Sequence, residues 1–216
     1  MEGYLSSPVR VLGVPARGYI AIAREFEREH GRIPMTKLHA LCRELRNGST
    51  FEERTLAVVL LGRRRREMNH ATWRLANSWI DSSTGWGLCD GLASGVIADM
   101  VLADLSHLSE LREWTKSKNP WRRRAALYAL NRIVRSGDLD HAIPIIKALI
   151  RDPEFWVQRA VGTWLRECWK KDSRRVQEFL IGNAKGLPRT VVTVATERAP
   201  KSFRERLRAM ASSKRW

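Results

Sequence analysis

The stretch "NPWRRRAALYAL", residues 119–130, repeats its pattern in "EFWVQRAVGTWL", residues 154–165. Trp121 and Trp156 are 35 positions apart, and each is followed three residues later by an arginine, Arg124 or Arg159, and then by an alanine, Ala125 or Ala160. Stepping back by the same interval reaches Trp86, and once more reaches Phe51, whose segment "FEERTLAVVLL" carries Arg54 at the third step. A period near 35 in a chain of helical periodicity is the mark of stacked helical hairpins. Tetratricopeptide signatures are missing. The sequence therefore predicts an all-α protein, an α-α superhelix of the HEAT or armadillo kind, curved around a concave basic groove.

Short turn signals punctuate the rest of the chain: "HGRIP" (30–34), "NGST" (47–50), "DSSTG" (81–85), "KSKNP" (116–120), "SGD" (136–138), "RDP" (151–153) and "GLP" (186–188). Nothing alternates like a strand for long. Ser49 or Thr50 is expected to cap a helix with acids in its first turn, and Pro120 and Pro153 sit where helices should begin. Roughly ten helices of about 10–18 residues follow, in a single domain spanning residues 1–216.

Lysine and arginine number 39 against 23 acidic residues, a formal charge of +16. That excess attracts polyanions, with nucleic acid first and an anionic membrane surface second. It is carried by "GRRRRE" (62–67), "WRRR" (121–124), "KKDSRR" (170–175) and the C-terminal "FRERLRAMASSKRW". Each cluster alone also reads as a solvated helix end complementing the helix dipole. Together, along a concave face, they suit backbone contacts to nucleic acid, which position without reading sequence and depend strongly on salt.

The longest uninterrupted apolar run, Leu56 to Leu61, is much too short to cross a bilayer, and "MEGYLSSPVR" lacks the apolar core of a signal peptide. A soluble, cytoplasmic protein is expected. Cys42, Cys89 and Cys168 are widely separated, the five histidines are scattered, and neither metal-ligand spacing nor a nucleotide-binding glycine loop occurs. No metal and no cofactor are expected. Of the nine tryptophans, Trp73, Trp79, Trp114 and Trp169 read as hairpin packing, whereas Trp86, Trp121 and Trp156 are either repeat core or a row lining the groove.

One repeat unit departs from the others. In "TGWGLCDGLASG", residues 84–95, the third step after the aromatic is Cys89 rather than arginine, and the fourth is Asp90 where the other units have Thr55, Ala125 and Ala160. The unit has lost a positive charge and gained a negative one. Asp90 shares a helix face with Trp86, four residues earlier. One reading makes it a first-turn carboxylate on a helix starting near Thr84. In the other, it stabilises positive charge developing beside the Trp86 ring. Glycines at 85, 87, 91 and 95 either admit another backbone or serve tight packing.

With these segments in order, "GWGLCDGLASGVIADMV", "NPWRRRAALYAL" and "EFWVQRAVGTWLREC", the chain resembles the AlkD-type DNA alkylation repair glycosylases, which are HEAT-like solenoids. "YLSSPVRVLGVPARG" is similar to the family's N-terminal Tyr to Leu-Gly segment, with the family's first helix shortened or missing. The resemblance implies hydrolysis of the glycosidic bond of cationic N3- or N7-alkylated purines in double-stranded DNA, by a monomer using no nucleotide cofactor and no membrane. It makes Asp90 the catalytic aspartate and Trp86 the groove tryptophan that contacts the lesion's sugar. Arg124 and Arg166 become DNA contacts and Tyr4 falls close to the site, while Arg159 and Trp121 are candidate DNA contacts from the basic and aromatic pattern of the repeats. An alkylated purine leaves without a general acid, and the sugar passes through an oxocarbenium-like state. A carboxylate about 4 Å from that charge offers up to about 4 kcal/mol at an effective dielectric near 20. The family acts without flipping the base, so no deep pocket is needed.

The family's second active-site tryptophan directly follows the glycine of its "GWxLRE" pattern. Here the order is Gly162, Thr163, Trp164, which leaves threonine at that position. That departure lends weight to an alternative, a non-catalytic HEAT-like module that binds damaged or branched DNA, and the row of aromatics leaves open a third, a helical scaffold for an acidic protein.

Overall fold

A computed structural model describes residue 3, residues 9–83 and residues 85–212. The chain divides into two compact units, residues 1–104 and residues 105–216. Among the described residues every regular element is helical, and pairing between extended segments is confined to one isolated bridge between Arg10 and Thr50.

The first unit contains α1 (Ala16–His30), α2 (Met35–Asn47), α3 (Phe51–Arg63), a 3-10 turn (Arg65–Glu67), α4 (His70–Asp81), α5 (Trp86–Leu92), a π turn (Ala93–Ile97) and α6 (Ala98–Ala103). Thr50 caps α3 as expected: its hydroxyl accepts from the Glu53 N–H at 3.2 Å, and the Glu53 carboxylate accepts from the Thr50 N–H at 2.9 Å. Asn69 does the same for α4, accepting from the N–H groups of Ala71 and Thr72 at 3.0 and 3.2 Å. Leu60, Leu61, Trp73, Ala76, Ile80, Leu92 and Ile97 are buried together as the core of this unit.

The second unit contains a 3-10 turn (Leu105–His107), α7 (Leu108–Trp114), α8 (Pro120–Tyr128), α9 (Asn131–Ser136), α10 (Leu139–Ala148), α11 (Phe155–Trp169), α12 (Ser173–Gly182), α13 (Arg189–Ala195) and α14 (Lys201–Ser212). Pro120 opens α8, whereas Pro153 stands just ahead of Glu154, the residue preceding α11. Helix α11 packs on both α8 and α13. Gly162 explains how closely α13 approaches: a Cβ there would lie 2.6 Å from Val194 Cβ and 3.2 Å from the Ala195 backbone nitrogen.

The helices are shorter than the periodicity suggests, six to fifteen residues each. The repeat nonetheless survives in the side-chain bonds, many of which join residues about one period apart. In the first unit Arg46 donates to Ser83, 37 positions on, and Arg64 to the Ile33 carbonyl, 31 positions back. In the second unit Arg123 pairs with Asp152, 29 positions on, and Arg166 with Glu197, 31 positions on. Within each unit these arginines tie one repeat to the next.

Trp86–Ala103 is long and apolar enough, by composition, to cross a membrane, longer than any run visible as uninterrupted apolar sequence. Half of it is buried, and its parts pack against α3 and α4 as a core helix does. Trp73, Trp79 and Trp114 are buried, as expected of packing residues, while Trp169 is half-buried against the Phe203 ring, with centroids 5.3 Å apart.

Candidate active site

All four phase-locked aromatics stand at the start of a helix. Phe51 and Trp86 are the first residues of α3 and α5, and Trp121 and Trp156 are the second residues of α8 and α11. For α5 the boundary is fixed by Gly85, whose φ of 86° favours glycine and turns the chain into the helix. The Cys89 N–H closes the first turn on the Gly85 carbonyl at 3.3 Å.

Asp90 is consequently the fifth residue of α5, and the first turn of that helix contains no acid. A dipole role at a helix start near Thr84 does not describe its position, because the dipole effect fades beyond the first turn. Trp86 and Asp90 are both half-buried, one turn apart, with Leu88 and Cys89 buried between them. Behind Asp90 the helix widens. Its carbonyl accepts from the Ser94 hydroxyl at 2.6 Å, and the Ala98 N–H reaches back five residues to the Ala93 carbonyl. Such π turns often occur at functional sites. Gly91 faces open space, and a Cβ at Gly95 would meet only Val58, at an ordinary 4.0 Å, so neither glycine admits a close helix neighbour.

At the third step after each aromatic the side chains diverge. Arg54 donates to the Gly48 carbonyl at 3.0 Å. Arg124, 4% exposed, donates to the Trp156 carbonyl and to the Tyr128 hydroxyl at 3.0 Å, with its guanidinium carbon 4.7 Å from the Tyr128 ring centroid. Arg159 is exposed and lies over the Phe155 ring at 5.8 Å. Cys89 is buried. Arg124 is therefore engaged within the second unit, and its neighbours in "WRRR" are engaged too. Arg123 pairs with Asp152 at 2.6 Å, and the Arg122 guanidinium lies over Trp114 at 5.1 Å.

The remaining candidates fall in different environments. Trp121 is half-buried, and its N–H is held by the Asn119 side chain at 2.9 Å. Arg166 is half-buried and pairs with Glu197. Trp164 is buried, edge-on to Tyr128 with centroids 5.6 Å apart, while Thr163 is half-exposed beside it. Tyr4 lies outside the described residues. Among the described residues no His, Cys, Asp and Glu side chains gather in a group suited to a metal ion.

Two functional candidates escape a motif reading. Glu52 is buried at the start of α3 and accepts from the N–H groups of Gly13 and Val14 at 2.8 and 3.4 Å, fastening the N-terminal segment. Arg46 is buried at the end of α2 and bonds to the turn that precedes Gly85. A signal existed for the second, since Arg46 stands three 35-residue steps before Arg151, which likewise donates to carbonyls about one repeat on, those of Asn183 and Lys185 at 3.0 and 2.9 Å.

The chain is similar in fold to known structures. A predicted DNA alkylation repair enzyme from Enterococcus faecalis superposes with a TM-score of 0.81 at 19% identity, covering 93% of each chain. AlkD2 from Streptococcus mutans superposes with a TM-score of 0.69 at 20% identity, covering 86% of this chain and 92% of that one. The smu.31 protein of Streptococcus mutans UA159 gives 0.61 at 18% identity, covering 91% and 97%. No curated protein sequence matches. The model of the DNA alkylation repair enzyme family matches residues 1–199, and with the all-α repeat fold this establishes that the chain belongs to that family.

Proposed function

We propose that the protein is a monofunctional DNA glycosylase that hydrolyses the N-glycosidic bond of cationic N3- or N7-alkylated purines in duplex DNA, acting as a cytoplasmic monomer. Asp90 carries this reading. It replaces the small residue of the other repeats with a half-buried carboxylate, beyond reach of the helix dipole and one turn from a half-buried tryptophan. The Asp90 carboxylate stabilises the positive charge that grows on the sugar as the base departs and orients the attacking water, while the Trp86 face packs on the sugar. The departing base is already cationic, so neither a general acid nor a metal is required. Arg124, Arg159, Arg166, Trp121 and Tyr4 are assigned to DNA contacts, Arg166 to the backbone and Tyr4 close to the site, while Arg124 also bonds the Trp156 carbonyl.

A second reading, DNA binding without excision, is favoured by the buried position of Trp164 and by Thr163 in the place of an aromatic. Incubation with duplex DNA carrying N7-methylguanine separates the two: the first expects free base, the second a retained complex and no base.

A further inference from the structure

Arg46 is 6% exposed, and burying a guanidinium is expensive unless an anion compensates it. Among the described residues no carboxylate pairs with it, and its Nε has no hydrogen-bond partner. Burial, together with the nearby Arg54 charge, lowers its pKa to about 10, and Cys89 opposes that fall; the guanidinium stays charged at neutral pH. Its hydrogen bonds and its ring contact lie on one short segment. Nη2 donates to the Trp79 carbonyl at 3.2 Å and to the Ser83 hydroxyl at 2.7 Å, and the guanidinium carbon lies 5.9 Å from the Trp79 ring centroid. The Ser83 hydroxyl in turn donates to the Trp79 carbonyl at 2.7 Å, and the Ser83 N–H to the Ile80 carbonyl at 3.1 Å.

Trp79 lies in the last turn of α4, where backbone carbonyls have lost their helical partners. Arg46 satisfies one of them and at the same time grips the turn at Ser83, two residues before Gly85. The direction in which α5 leaves that turn decides where Trp86 and Asp90 point. A side chain from α2 thus bonds, through a single nitrogen, both the last turn of α4 and Ser83, two residues before Gly85.

We propose that Arg46 is a positioning residue for the Trp86–Asp90 pair, holding the Trp79–Ser83 turn in the geometry from which α5 starts. The role rests on the glycosylase reading for its consequence in rate, but its structural part stands independently. Misplacement of a catalytic group by about 1 Å costs up to about a hundredfold in rate, so loss of the Arg46 grip should appear in the chemical step before it appears in DNA affinity.

The test compares Arg46→Met, Arg46→Lys and Ser83→Ala with wild type, using the full chain. The first readout is the Trp86 indole N–H resonance, assigned with Trp86→Phe. It is expected to shift in Arg46→Met and in Ser83→Ala, with Arg46→Lys closer to wild type, while the Trp121 resonance stays in place. An unmoved Trp86 resonance in both Arg46→Met and Ser83→Ala overturns the proposal. Ser83→Ala serves as the folded variant should Arg46→Met not fold. The second readout is single-turnover release of N7-methylguanine, expected to fall by about tenfold or more in Arg46→Met and less in Ser83→Ala, with duplex Kd within about twofold. Equal losses in rate and affinity would mean general loosening and also overturn it. Absence of release by wild-type protein refutes the glycosylase reading, and the resonance still decides the role of Arg46. If Asp90→Asn stops release while Arg46→Met and Ser83→Ala release at the wild-type rate, the glycosylase reading stands and Arg46 is not a positioning residue.

Discussion

The Arg124 guanidinium donates to the Trp156 backbone carbonyl, 32 positions along the chain, and to the Tyr128 hydroxyl on its own helix. An arginine of one repeat thereby closes on the aromatic of the next. Replacing it with methionine removes both hydrogen bonds of a charged donor, a loss of about 1.5–3 kcal/mol. Arg124→Met is expected to lower Tm measurably, with Arg124→Lys less damaging. A variant as stable as wild type would show that the buried bonds contribute little.

Arg159 occupies the same repeat position but is exposed. If it meets a phosphate, Arg159→Gln should reduce the slope of log Kd against log salt by about 0.9 and leave stability within about 0.5 kcal/mol. Titration of labelled duplex at several salt concentrations measures the slope. An unchanged slope removes Arg159 from the interface.

Gly162 and Gly91 predict opposite responses to alanine. At Gly162 the added methyl would press on Val194 and the α13 backbone, a cost of about 1–3 kcal/mol. At Gly91 it meets open space and would gain about 0.5–1 kcal/mol of helix preference. Thermal melts of the two variants check the pair, and Gly162→Ala with unchanged Tm would contradict the close α11–α13 contact. Should DNA approach α5 at Gly91, Gly91→Ala will melt higher yet bind duplex more weakly.

Glu67 links the 3-10 turn to the end of α3 and to the segment between α1 and α2, accepting from Arg64 and Arg32. Those hydrogen bonds, Arg64 first and Arg32 second, hold its carboxyl down at about 2, against a small opposing effect of burial. A carboxyl lowered on folding adds stability above its unfolded pKa, near 4.3, and loses it as pH falls toward the folded value. The Tm advantage of wild type over Glu67→Gln should therefore be full at about pH 5 and shrink toward about pH 2.5. Parallel Tm curves over that range would contradict the assignment.

The period was legible in the sequence because it is carried by residues with local duties: the four phase-locked aromatics at helix starts and caps such as Thr50 just before them. Side-chain direction was not. Arg124 and Arg159 share motif and phase, yet one turns in to the Trp156 carbonyl of the following repeat and the other lies over Phe155 in solvent. That choice depends on what the next repeat offers, which no spacing records. Asp90 was legible as the odd member of the series, and its place in the second turn of α5 follows from Gly85 starting the helix at Trp86. The π turn after Leu92 has no composition signal, since "ASGVI" suits an ordinary helix equally well.

The central claim is that Asp90 performs chemistry. Single-turnover release of N7-methylguanine from duplex DNA by wild type and by Asp90→Asn, at matched duplex occupancy, measures it directly. A carboxylate contributing up to about 4 kcal/mol predicts release by wild type and a loss approaching a thousandfold in the variant, with binding retained. Release at equal rates by the two proteins, or no release by wild type, would contradict the claim.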